Sequence, residues 1–189
     1  MDTYDAIARR TSTRDFRPDP VPRYAIERLL AAAVRAPNHK LTEPWRFAVL
    51  TGEAKRRYAE LRRAHRARRF ADPDAPDARK AIERTYREHL DTPAFIVVMC
   101  AVADDPVRRE EDYGAVMMAI ENLLVAAAAD GMGTLLRTGG IMEDPDVKAL
   151  AGPSPGDRIV GIISLGYLAA TPAPTPRKKP LADLVRWLD

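Results

Sequence analysis

A single cysteine, Cys100, is the whole thiol content of this 189-residue chain; it excludes an intrachain disulfide and argues against a metal site built on cysteines. Set inside an apolar run, it reads as a small buried hydrophobe. Long hydrophobic runs are also missing. The longest, Ala94 to Val102 and Leu123 to Ala129, are well short of the roughly 20 residues that cross a bilayer. The N-terminus, Met1-Asp2-Thr3-Tyr4-Asp5, has neither the basic start nor the apolar core of a secretory signal. The expectation is a cytoplasmic chain with no membrane span. Neither sign of charge dominates: 30 Lys plus Arg stand against 27 Asp plus Glu, interspersed, which gives little support to a nucleic-acid partner. No Gly-x-Gly-x-x-Gly follows a strand, so a Rossmann dinucleotide domain is unsupported, and no internal repeat is present.

What is present suits one globular domain over residues 1–189, with 46% hydrophobic residues to build its core. A short helix precedes Arg9. From Pro22, the residues Ile26, Leu29, Leu30, Ala33 and Val34 mark one face of a helix that Pro37 ends. Trp45, Phe47 and Val49 alternate with Arg46 and Ala48 as a strand does. Two charged helices follow, over 53–70 and 77–90, separated by Asp72-Pro73-Asp74-Ala75-Pro76. Ala94 to Val102 is continuously apolar, as expected of a central strand covered on both faces. Tyr113, Val116, Met117, Ile120, Leu123, Leu124 and Ala127 keep helical spacing between 110 and 130, with alanines filling the rest; this predicts a helix buried nearly all round, against a second subunit. Thr134 to Thr138, a short helix over Asp146 to Leu150 capped by Asp144-Pro145, and a strand over Arg158 to Leu168 complete the set. From Ala169 the proline-rich tail reads as extended. The fold class is α+β, a central mixed β-sheet covered by helices.

Four segments carry candidate chemistry. In Arg9-Arg10-Thr11-Ser12-Thr13-Arg14-Asp15-Phe16, guanidinium forks and hydroxyls suit a phosphate, although a capped helix end with solvated arginines would show the same letters. Arg35, Asn38 and His39 stand in a polar loop before Trp45 and could reach the edge of a planar heterocycle, although a histidine there also serves as an ordinary loop residue. Leu136-Arg137-Thr138-Gly139-Gly140 and Arg177-Lys178-Lys179-Pro180-Leu181 complete the set. The basic stretch 53–70 reads as a surface helix, with a nucleic-acid arm as the other possibility.

In order and spacing, Arg10-x-Ser12-x-Arg14-x-Phe16, Ala36-Pro37 with Pro44-Trp45-Arg46-Phe47, and Arg177 to Leu181 resemble the nitroreductase family, in particular its small members. The resemblance covers nearly the whole chain. It implies a nitroreductase-like fold with FMN at the interface of a homodimer, whose core is the helix from 113 to 130. It implies that Arg10, Thr11, Ser12 and Arg14, with Arg9, hold the FMN phosphate and ribityl chain, helped by Arg177 and Lys178. Arg35 and His39 then address the pyrimidine edge of the ring, and Leu136, Arg137 and Thr138 lie along the ring or its side chain, partly from the second subunit. One departure stands out. Larger members carry an asparagine and a glutamine where this chain has Leu41 and Glu43, so their ring contacts do not transfer.

The activity implied is hydride transfer from NADH or NADPH through bound flavin to a small acceptor, a nitroaromatic, quinone or activated alkene, by a ping-pong mechanism. No protein side chain is nominated as a general acid and no metal is implied. Two other readings are a specialised reaction on the same flavin fold, such as dehalogenation, flavin cleavage or a biosynthetic dehydrogenation, and a non-catalytic binding protein that uses the basic 53–70 helix.

Overall fold

A computed structural model of the chain describes residues 1–171, 173 and 179–188; Arg177 and Lys178 lie outside the described residues. Among the described residues, four strands form one sheet in the order β1-β2-β4-β3, with β1 at Trp45–Leu50, β2 at Ala94–Ala101, β3 at Met132–Arg137 and β4 at Asp157–Tyr167. All three pairings are antiparallel, which corrects the expected mixed sheet. The one parallel pairing among the described residues is an isolated bridge between Ser12 and Thr134. Strand identity follows from residue pattern, whereas pairing direction follows from how the intervening helices return the chain.

β2 is central, as its apolar run predicts, and its alternation sorts the core into two layers. Ile96, Val98 and Cys100 face the layer that contains Leu29, Val116 and Leu123, while Phe95, Val97 and Met99 face the layer of Tyr58, Leu61 and Val147. A bulge keeps β4 in step with both. Val98 pairs with Gly161 and Met99 with Ile159, so Val160 is the extra residue, and the inward parity of β4 switches there.

Helices close both faces. α2 (Arg23–Ala33) buries Ile26, Leu29 and Ala33 against α5 (Pro106–Ala129), and α1 (Thr3–Arg9) sets Ala6 on the same helix. On the other face lie α3 (Gly52–Ala67), α4 (Pro76–Asp91) and α6 (Pro145–Ala151). By length and composition alone α5 could cross a bilayer, yet Val116, Ala119, Leu123 and Ala127 have no exposure at all in the core. Nor is it buried all round. Met118 is 44% exposed, Glu121 and Ala129 are open and Val125 is half-buried, so one stripe of the helix is left uncovered in the single chain.

Two local arrangements hold the parts together. The first is Phe16, whose ring lies over Gly133 and Gly166, which are cross-strand partners. A Cβ added at Gly166 would come within 2.8 Å of the Pro93 ring and 2.9 Å of Phe16, and one at Gly133 within 2.5 Å of Thr13 Cγ2. The glycines are there for space. The second is His89, 1% exposed between Phe95, on which it stacks at 5.7 Å, and the edge of Tyr58. Its Nδ1 meets the Thr85 carbonyl at 2.7 Å and its Nε2 accepts from Arg62 Nε at 3.1 Å, a pairing that only the neutral ring satisfies. Burial and the Arg62 charge push its pKa down from the usual 6.5 to about 4.

Because the folded His89 resists a proton that the unfolded one accepts, stability is full above pH 6.5 and falls between 6.5 and 4. Urea titrations at pH 7 and pH 4 should show a loss from this residue of about 3 kcal/mol, most of it absent in His89→Gln. An equal loss in the variant would reject the assignment. Gly166→Ala should lower the urea midpoint by the equivalent of about 1–3 kcal/mol with unchanged slope, because the rigid Pro93 ring cannot yield.

Candidate functional site

The segment that follows α1 has no strand of its own and borrows the sheet's edge. Arg10 caps α1, its N–H donating to the Ala6 carbonyl at 3.0 Å. Thr13 N–H then donates to Thr134 O at 3.0 Å, Arg17 N–H to Tyr167 O at 2.9 Å, and Phe16 bridges Leu168. Side chains between these anchors are displayed along the β3 edge. Arg10 reaches Glu121 of α5 at 3.5 Å. Arg14 reaches Glu88 of α4 at 3.2 Å, and Arg137, at the end of β3, makes a hydrogen bond to the same carboxylate. Burial alone would raise the Glu88 pKa, but the guanidiniums of Arg137 and Arg14 outweigh it and hold the carboxyl below its ordinary value.

Among the described residues, Thr11 is one of three, with Tyr58 and Arg66, whose buried polar side-chain atom has no partner, and it is the one on this edge segment. Its Oγ1 is buried and has no hydrogen-bond partner. It lines a cavity of about 790 Å³ with Arg9, Arg10, the start of β3 and residues 168–171. A buried hydroxyl left unpaired costs on the order of 1–3 kcal/mol, so such atoms are uncommon away from ligand sites.

A second cavity, of about 680 Å³, is lined by Arg14. Arg137, Thr138, Gly139 and Gly140 form its sheet-side wall; α3 supplies Arg62, His65 and Arg66, the turn after it Arg69, and α4 Arg84, Thr85 and Glu88. Asp144, the cap of α6, fixes the α3 wall by accepting from Arg68 at 2.7 Å and lying 3.8 Å from His65. Burial first, then the neighbouring Arg62 charge, keeps the His65 pKa low.

The ring-edge candidates sit elsewhere. Arg35 follows α2 and lines a third cavity with Glu121 and Asn122, so Arg10 and Arg35 flank the same glutamate. His39 Nδ1 lies 2.7 Å from Glu111 of α5, in a loop where Lys40, Leu41 and Glu43 all have positive φ, at 55°, 53° and 45°. Thr42 Oγ1 donates to the buried Asp112 at 2.5 Å, and Glu43 N–H donates to Asn38 Oδ1 at 3.0 Å.

The structure thus gathers Arg14, Arg137 and Thr138 around one cavity and Arg9, Arg10 and Thr11 around its neighbour. Ser12 is exposed at its bridge to Thr134. Leu136 packs its side chain over Gly161 against the core and is partly buried. Among the described residues, Arg35 lines the cavity beside Glu121 and His39 lies against Glu111, each apart from the Arg14 and Arg137 group. Sequence reasoning overlooked Arg62, His65, Arg66, Arg69, Arg84 and Glu88. A signal existed: Arg62, Arg66 and Arg69 fall at i+4, i+8 and i+11 from Tyr58, so they continue the stripe of a fully buried residue.

Comparison with known proteins places the fold and the family. A family model described as Nitroreductase family matches residues 7–167. YfhC of Bacillus subtilis, whose name places it among the NAD(P)H nitroreductases, is 31% identical over 180 residues, spanning 95% of this chain and 90% of its own length. A nitroreductase-like family protein from Bacillus cereus, known as a crystal structure, aligns with a TM-score of 0.81 at 29% identity over 100% of this chain and 97% of the other. NfnB from a Sphigopyxis strain, described as an FMN and NADPH-dependent nitroreductase, shares the fold with a TM-score of 0.79 at 19% identity, covering 100% of both chains. By the extent of the family match, the fold and the sequence likeness together, the chain belongs to the nitroreductase family.

Proposed function

We propose that this chain is a cytoplasmic, homodimeric FMN-dependent oxidoreductase. It takes hydride from NADH or NADPH and passes it, in a ping-pong cycle, to a small electrophile such as a nitroaromatic, a quinone or an activated alkene. The observation that carries the reading is the buried, unpartnered Thr11 hydroxyl beside Arg9 and Arg10, on a segment held rigidly at the sheet edge. A phosphate supplies the acceptor oxygens that Thr11 and Arg9 lack, and adds to the single carboxylate, Glu121 at 3.5 Å, that Arg10 already reaches.

In this reading Arg9, Arg10, Thr11 and Ser12 hold the FMN phosphate, and Arg14, Arg137, Thr138 and the Leu136 backbone run along the ribityl chain and ring. Arg177 and Lys178 join the phosphate from the tail. When bound, FMN supplies an atom that accepts and then donates hydride. The protein's own part is binding and electrostatics. Arg35 places a fixed positive charge for the pyrimidine edge, where negative charge builds on reduction, and a preorganised charge of this kind is worth more in a dry site than in water. His39 orients the same edge, held in place by Glu111. The separation of Arg35 and His39 from the Arg14 and Arg137 group within one chain supports a site shared by two subunits. So does the uncovered stripe of α5, where Met118, Val125 and Ala129 lie open or half-buried, with Ile7 of α1 exposed nearby in the fold. A stripe of that kind is what association buries.

The purified protein should be yellow, with one flavin per chain, and anaerobic NADH or NADPH should bleach it. A colourless protein that takes up no added FMN would overturn the reading; flavin that neither nicotinamide bleaches would shift it to a specialised flavin reaction. Arg10→Ala with Arg14→Ala should weaken FMN binding by about 100-fold or more, since each charge-assisted bond contributes on the order of 1.5–3 kcal/mol. Far-UV circular dichroism should be unchanged, and intact flavin content in the double variant would show that the phosphate lies elsewhere.

A further inference from the structure

The cavity between α3, α4 and the end of β3 holds far more positive charge than its surroundings cancel. Six arginines line it against one carboxylate, Glu88. Arg14 and Arg137 share that carboxylate. Among the described residues, Arg62, Arg66, Arg69 and Arg84 make no ion pair at all. Arg62 donates to the ring of His89, which carries no charge to offset it. Arg66 lies over the Phe70 ring at 5.0 Å, and its Nε is buried without a partner. Burial, together with the charges of Arg137 and Arg66, pulls the Arg62 pKa below its ordinary value. Guanidiniums gathered in this way repel one another, and the arrangement is costly until an anion enters.

Which anion follows from the geometry of the donors. Four unpaired planar forks exceed what one carboxylate can accept, and guanidinium forks match phosphate oxygens two at a time. Thr138 stands in the sheet-side wall, where Gly139 and Gly140 leave part of the surface without side chains. The volume, about 680 Å³, lies in the range of cofactor and substrate pockets.

We propose that this cavity is a polyphosphate subsite, which binds a ligand bearing two or more phosphates beside the flavin, distinct from the place of the flavin's own phosphate. The adjacency to flavin rests on the function proposed above, through the shared residues Arg14, Arg137 and Thr138. The phosphates come either from the hydride donor, as the diphosphate and 2′-phosphate of NADPH, or from a phosphorylated acceptor. A basic stripe that reads in sequence as a surface helix is then one wall of a substrate pocket.

The test uses the flavin-loaded protein and Arg66→Gln/Arg69→Gln/Arg84→Gln. Arg69→Gln/Arg84→Gln, two exposed positions that need no repacking, serves as the second variant. Pyrophosphate affinity by titration calorimetry should fall on the order of 30-fold in either variant, as expected for the loss of charge-assisted bonds. Flavin content should be unchanged. A rise in KM for NADPH that exceeds the rise for NADH identifies the donor as the phosphate source; unchanged KM values for both, with pyrophosphate affinity lost, identify a phosphorylated acceptor. Wild-type protein that does not bind pyrophosphate, or variants that bind it equally well, would overturn the subsite. Loss of flavin from the folded variants would also overturn it, by showing that the cavity serves the flavin's own phosphate. Should the wild-type protein bind no flavin, the calorimetric comparison still decides the cavity, so the two ideas fail separately.

Discussion

The Phe16 ring resting on the Gly133 and Gly166 pair is the contact on which the candidate site depends. An aromatic ring can approach a sheet this closely only where two facing residues have no side chain, and the cross-strand register of β3 and β4 puts both glycines under the same ring. From that anchor the chain runs back through Ser12 and Thr13 to Thr134, so Arg10, Thr11 and Arg14 are displayed from a strand-like edge rather than a loose arm. Binding groups on a fixed element lose less entropy when they engage a ligand. The core beneath thus sets the geometry of a surface that contributes almost nothing to the core.

Charge is distributed around this edge with one shared counter-ion on each side. Glu88 answers Arg14 and Arg137, and Glu121 answers Arg10 and stands beside Arg35. Each glutamate sits on a packed helix, α4 against α3 and α5 against the sheet. The carboxylates keep the arginines aimed before any ligand arrives, at the cost of having to give way, in part, when a phosphate competes for the same forks.

Much of the frame is legible in the sequence. The continuous apolar run of 94–102 marks a central strand, and the stripe of Ile26, Leu29 and Ala33 marks a packed helix, because burial on two faces or on one face leaves different periods. The landmarks around Arg10, Pro44 and Trp45 are specific enough to indicate the family. What the letters do not carry is relation in space. The antiparallel pairing of all four strands depends on chain return, not on the strands' own residues. The open stripe of α5 escapes notice because alanine and methionine look the same on a covered and an uncovered face. Arginines 62, 66 and 69 read as solvated since nothing in a sequence shows that α4 and β3 stand opposite them.

The loop from Asn38 to Pro44 has a bearing on how this chain has diverged and how it could be engineered. Positive φ suits asparagine and glycine, and leucine adopts it at a cost of order 1 kcal/mol or more. Leu41 occupies the position where larger members of the family carry asparagine, so here an ill-suited residue is held in a conformation its relatives' residue takes readily. The restraint comes from outside the loop, from Asp112 and Glu111 on α5. Drift toward a more comfortable residue at 41 is therefore open to the chain, and it would lower the cost of the loop while leaving the His39 anchor on Glu111 untouched. Thermal robustness can thus be raised at one solvent-exposed side chain without redrawing the loop that carries His39.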